Sequence, residues 1–183
     1  MSEEKKESWE WLKAIVVALV LAFLIRQFLF APVVVDGESM MPTLEHNDRM
    51  IINKIGYIFD EPKRFDIIVF HAPAGKDYIK RVIGLPGDTI EYRDDILYVN
   101  GEAIAEPYLD ELKQIYDGGS VTGDFKLVDV TTETVVPEDE LFVLGDNRRH
   151  SKDSRDIGTV HIDEVVGRAN VVFWPLTNIG IAK

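Results

Sequence analysis

No cysteine occurs in the chain, which excludes a disulfide framework, a thiolate nucleophile and a Cys-ligated metal. Histidine is scarce at four residues, His46, His71, His150 and His161. They form no HExxH pair, and none has a spacing that brings it to a nucleophile, so neither a metal site nor a Ser-His-Asp triad is read from them. Positive charge is also short. Twenty Lys and Arg stand against 32 Asp and Glu, a formal net charge of -12 at pH 7, and such a field repels a nucleic-acid backbone. Internal repeats are absent, as is any series of crossover helices that a parallel sheet would need. What remains, at 183 residues and 46% hydrophobic, is one folded domain of ordinary size behind an apolar N-terminal segment.

That segment holds the longest apolar run, AIVVALVLAFLI at 14–25, and apolar character resumes after Arg26 and Gln27 through Phe28–Ala31. Trp11 to Ala31 is 21 residues, close to the roughly 20 that a helix needs to cross hydrocarbon. Trp9 and Trp11 suit one interface, the stem of Arg26 can snorkel near the other, and Pro32 offers a stop. The expectation is a short flank at 1–10 and a transmembrane anchor at 11–31. A cleaved secretory signal fits less well, because Leu29 stands where a small residue belongs and Pro32 would follow the cut. Lys5, Lys6 and Lys13 precede the apolar run at 14–25, so the positive-inside rule predicts a cytoplasmic N-terminus. Residues 32–183 then form an extracytoplasmic domain of a single-pass cell-membrane protein.

Downstream the repeated signal is the short strand and the tight turn. IIVF at 67–70, YIKRVIG at 78–84, LFVL at 141–144 and NVVFW at 170–174 read as strands, and LPGD at 85–88 reads as a turn. ILYV, Asn100-Gly101 and EAI form the strongest hairpin signal in the chain. Residues 106–136 are less periodic and read as a loop-rich excursion or small ribbon on the main body. The fold class is therefore mainly β, behind an N-terminal transmembrane helix.

Three regions can carry chemistry. In GESMMPTL at 37–44, Ser39 lies between Gly37 and Pro42, where an unusual turn can gather backbone N–H groups around an oxyanion; as an isolated feature it reads as a turn serine rather than a nucleophile. In DYIKRVIGLPGD at 77–88, strand alternation puts Tyr78, Lys80 and Val82 on one face and Ile79, Arg81 and Ile83 on the other. Lys80 can thus enter apolar surroundings without Arg81, and desolvation would make its amine a neutral base; by itself it could be an exposed edge lysine. GDNRRHSKDSR at 145–155 offers Asp146, Asn147, Ser151, Asp153 and Arg155, able to position an amine and neutralise buried charge, or to form an ordinary solvated loop.

SMMPTL at 39–44, RFDIIVF at 64–70, KRVIGLPGD at 80–88 and GDNRRHSKDSR at 145–155 occur together in an order that resembles the bacterial type I signal peptidases of the short, single-span form. The resemblance implies a coiled antiparallel β-sheet peptidase domain with an apolar surface beside the membrane. It implies that Ser39 acylates, that Lys80 is the general base, that Ser151 orients the lysine, and that Asp146, Asp153 and Arg155 give electrostatic support. Some family members place a hydroxyl two positions before the nucleophile; here Gly37 stands there, which points to backbone or water as the second oxyanion donor, or to an oxyanion hole assembled only when substrate binds. The implied partners are exported precursors bearing signal peptides, the lipid bilayer and the neighbourhood of the export translocon; no cofactor, metal or nucleic acid is expected. A membrane-tethered peptide-binding adaptor and a self-cleaving Ser-Lys regulator are the competing readings.

Overall fold

A computed structural model describes residues 3–24, 30–54, 57, 60–116 and 119–182. The strands are β1 (Phe30–Val34), β2 (Arg49–Asn53), β3 (Ile67–Ala72), β4 (Lys76–Gly84), β5 (Ile90–Arg93), β6 (Ile96–Val99), β7 (Glu102–Ile104), β8 (Phe125–Lys126), β9 (Glu140–Leu144), β10 (Val160–His161), β11 (Val165–Trp174) and β12 (Gly180–Ile181). The larger sheet runs β1-β2-β11-β3-β4-β9-β10, with β12 on β11, and the smaller runs β7-β6-β5-β8. Every pairing is antiparallel. The apolar runs at 67–70, 78–84, 141–144 and 170–174 all lie in strands of the larger sheet. Between β6 and β7, Asn100 and Gly101 both take positive φ, 52° and 82°, the two-residue turn whose twist matches that of the strands it joins.

The two sheets share a core. Ile90, Tyr92, Leu97 and Val99 of the smaller sheet pack on Ile83, Phe142 and Leu144 of the larger, while Ile68, Phe70, Val82, Leu141 and Val143 fill a second cluster. The segment 106–136 contains a 3-10 turn at Pro107–Leu109, α2 (Asp110–Ile115), β8 and α3 (Leu127–Val130), and Leu109, Leu112 and Val121 give it an apolar cluster of its own.

The expected transmembrane anchor is corrected. No helix among the described residues is long and apolar enough to cross a membrane. Helix α1 spans Glu3–Leu24, but the eighteen residues ending at Leu24 include Glu7, Glu10 and Lys13. Ala14–Leu24, its uncharged end, covers only about 16 Å at 1.5 Å per residue, against the roughly 30 Å of hydrocarbon. Residues 25–29 lie outside the described residues. Phe30 and Ala31, expected to finish the span, instead belong to β1, opposite Asn53 and Ile52. The single-pass placement in the cell membrane, N-terminus cytoplasmic and domain outside, falls with the same finding.

Candidate active site

Ser39 sits on the loop joining β1 to β2. The neck of that loop is closed by Val35 N–H donating to Asp48 O at 2.8 Å and Asn47 N–H donating to Val35 O at 2.9 Å. Its floor is Met40 and Leu44, both fully buried against Met50, Ile67, Ala169 and Val172. Burying each of these side chains stabilises the loop by about 2 kcal/mol, so the serine rides on an anchored turn. From the other side, Asn147 N–H donates to Ser39 O at 3.0 Å and Asn147 Nδ2 donates to Glu38 O at 3.1 Å.

Lys80 lies mid-strand in β4 and is 3% exposed. Its Nζ donates to Ser39 Oγ at 2.6 Å and to Ile79 O at 3.0 Å, and stands 5.2 Å from the centre of the Tyr78 ring. Burial pulls the Lys80 amine down to about 8, while the carboxylates of Asp153 and Asp146 push the other way. Desolvation wins because each acid already has a cationic partner. Arg81 Nε and Nη2 grip Asp146 at 2.8 and 2.6 Å. Arg155 Nε and Nη2 donate to Asp153 at 2.8 Å each. Asp153 also accepts from Gly145 N–H at 3.0 Å.

Ser39, Lys80, Asp146, Asp153 and Arg155 are thus brought together. Ser151 is present at the same place, yet its buried Oγ has no hydrogen-bond partner among the described residues, so the expected bond to the lysine is not seen. The reason for its proximity is Gly145: a Cβ there would run into Ser151 Oγ and Ser39 O. Gly37 takes φ +113° with open space where a side chain would go. Its N–H donates to His46 Nδ1 at 3.1 Å, so this backbone donor is engaged away from the serine hydroxyl.

Reading the residues singly missed several members. Arg81 was expected only to point away from Lys80; it does, and that direction leads it to Asp146, where it is 1% exposed. Arg148 was one charge in a polar loop, yet its fully buried guanidinium donates to Glu106 at 2.6 Å, Tyr92 OH at 2.8 Å, Thr122 Oγ1 at 3.0 Å and Gly145 O at 3.1 Å. Gly145 carried no sequence signal beyond a turn glycine, and His46, seven positions after Ser39, showed no mechanism for reaching the nucleophile. The open groove beside the dyad has a volume of about 360 Å³ and is walled by Val33, Val35, Met40, Val69, Tyr78 and Ile79 on its apolar side.

A serine hydroxyl touching a desolvated lysine amine, at the floor of a groove on an antiparallel β scaffold, is the arrangement of a serine peptidase whose base is an amine. The family model "Signal peptidase, peptidase S26" matches residues 8–174. The chain is similar to signal peptidase I of Bacillus caldolyticus, 50% identical over 173 residues covering 94% of this chain and 93% of that protein. It is also similar to signal peptidase IB of Staphylococcus aureus strain Mu50, 42% identical over 177 residues, again 94% and 93%. Among solved structures, a signal peptidase I from Enterococcus faecalis V583 matches with TM-score 0.57 and 47% identity, covering 60% of this chain and 97% of that one. The chain belongs to the S26 signal peptidase family: it is a Ser-Lys serine endopeptidase that cleaves signal peptides from exported precursors.

Proposed function

We propose that Ser39 is the acylating nucleophile and Lys80 its general base, with Gly37, Asp146, Ser151, Asp153 and Arg155 in supporting roles. The 2.6 Å contact between Lys80 Nζ and Ser39 Oγ carries this reading. A precursor segment lies extended in the groove with its scissile carbonyl over Ser39. Neutral Lys80 takes the hydroxyl proton as Oγ adds to that carbonyl, and Ser39 N–H donates to the oxyanion. A second donor comes from water or from a rearrangement when substrate binds, since Gly37 N–H is engaged by His46. The tetrahedral intermediate collapses, protonated Lys80 gives its proton to the leaving amine, and the mature chain departs. Water, deprotonated by Lys80, then hydrolyses the serine ester and frees the signal peptide as a carboxylate. Asp146 and Asp153, gripped by Arg81 and Arg155, hold loop 145–155 in place beside the dyad.

The precursor partner brings the enzyme to lipid surfaces and to the neighbourhood of the export translocon. A ridge of exposed apolar side chains supports the lipid contact: Phe173, Trp174, Leu176, Ile179 and Ile181 are 38%, 48%, 71%, 56% and 67% exposed. The test of the dyad is turnover of a purified precursor, read as the newly created N-terminus, by wild type, S39A and K80R. Both variants are expected to lose all turnover above slow background while keeping protease resistance in the folded state. Arginine stays protonated and cannot replace the base, so sustained cleavage by folded K80R would require another proton acceptor.

A further inference from the structure

Between its closed neck and the Asn147 clamp, the Ser39 loop passes through Asp36 and Gly37, two residues before the nucleophile. Packing does not hold this corner: the Cβ direction of Gly37 meets nothing within 4 Å, and φ is +113°, a conformation glycine reaches freely and therefore leaves freely. What meets Gly37 is an imidazole. Asn47, at φ 71°, turns the chain directly after His46, and His46 Nδ1 accepts the Gly37 N–H at 3.1 Å. Asp36 Oδ1 is 3.7 Å from the same nitrogen, outside hydrogen-bond range, so Gly37 is the ring's closer partner. The bond extends the ladder of the neck by one rung, with a side chain doing what the backbone does at Val35.

We infer that His46 is a positioning residue of the peptidase: by accepting from Gly37 N–H it fixes the turn that aims Ser39 at Lys80 and at the scissile carbonyl. This rests on the reading of Ser39 and Lys80 as the dyad. In the free enzyme the bond is open to water and modest, since the ring is half exposed. Val33–Met40 form one wall of the groove, however, and a precursor strand lying against that wall shields the corner. Water then ceases to compete, and the bond counts for more in the complex than at rest. A nucleophile displaced by a fraction of an ångström still binds substrate but attacks slowly, so the effect belongs in kcat.

The experiment uses the full chain and a purified precursor, with steady-state kinetics on wild type, H46L, H46N, H46Q and S39A and an unfolding midpoint for each. Asparagine can place Oδ1 near the position of Nδ1, whereas the glutamine amide sits farther out. H46L and H46Q are expected to lower kcat roughly three- to tenfold, the worth of one shielded hydrogen bond, with KM within about twofold and the midpoint retained. H46N is expected to recover most of kcat. Wild-type kcat in H46L, a loss confined to KM, or equal losses in H46L and H46N would each overturn the inference. The S39A arm separates the two readings: a dead S39A beside a full-speed H46L removes only the role of His46, whereas turnover by S39A removes the dyad itself.

Discussion

At the scale of single residues the site is governed by the cost of burying an amine. With Lys80 at about 8 against about 10.4 in an unfolded chain, the folded enzyme holds this proton less tightly than the unfolded chain does. If Lys80 is the proposed base, its neutral form is lost as pH falls. kcat/KM is expected to rise through pH 8 and to drop about tenfold per unit on the acid side, while the fold persists. The same shift sets a stability cost that is fully present below pH 8 and fades as pH rises toward the unfolded value. K80M, inactive, should accordingly be more stable than wild type at pH 7 by up to about 3 kcal/mol, with the advantage vanishing near pH 10.5. Urea unfolding of both proteins across this range checks the sign; an advantage that grew with pH would contradict it. Gly145 is the other decisive residue. Because a methyl group there would meet Ser39 O and Ser151 Oγ, G145A is expected to cut kcat roughly a hundredfold by moving the nucleophile, measured beside KM on the same precursor.

At the scale of elements, the site loop is fastened to segment 106–136 by a buried charge pair. Arg148 and Glu106 are 0% and 2% exposed in their side chains, and burial raises the pKa of Tyr92 and Tyr108, so both phenols stay neutral partners. Removing one charge strands the other: E106A is expected to cost about 3–5 kcal/mol and to lower turnover, because Arg148 also holds Gly145 O. Thermal unfolding and precursor cleavage report the two effects separately. This fastening was not legible in the sequence. The strands at 67–70, 78–84, 141–144 and 170–174 were, because their apolar runs are local and end at turn residues. Ser39 and Lys80 stood out through the joint order of four motifs. Arg148 and Glu106 are 42 positions apart, and each is a charge in a polar stretch; nothing local distinguishes a buried ion pair from two solvated ends. His46 failed for a related reason, since reaching Gly37 depends on the turn at Asn47 bringing the loop back on itself.

At the scale of the whole molecule, the apolar ridge is the feature on which the proposed lipid contact rests. Hydropathy along 11–31 does not follow the element boundaries, because α1 begins among charges at Glu3 and the chain is already in β1 at Phe30. The ridge is a property of the fold: β12 is laid beside β11 by pairing of Val171 with Ile181 and of Val172 with Gly180. Leu176→Ser combined with Ile181→Ser is expected to weaken sedimentation with phospholipid vesicles severalfold, about 1 kcal/mol per side chain withdrawn from lipid. kcat on a short soluble peptide should be retained. Equal vesicle binding by the double variant would remove the ridge from lipid contact.

The ties around Ser39 join residues far apart in the chain: Lys80 is 41 positions away, Asn147 is 109 from Glu38, and Asp146 is 65 from Arg81. Such closures come late in folding, because each must first overcome the entropy of a long loop. A hydrolase assembled from these ties needs Ser39, Lys80 and loop 145–155 in one folded chain. A nascent or partly folded chain can show strands and turns while its serine is still an ordinary alcohol and its lysine an ordinary cation. The topology thus does the work of an inhibitory prosegment, keeping proteolytic chemistry silent until the larger sheet, the smaller sheet and the loop between β9 and β10 have all closed on one another.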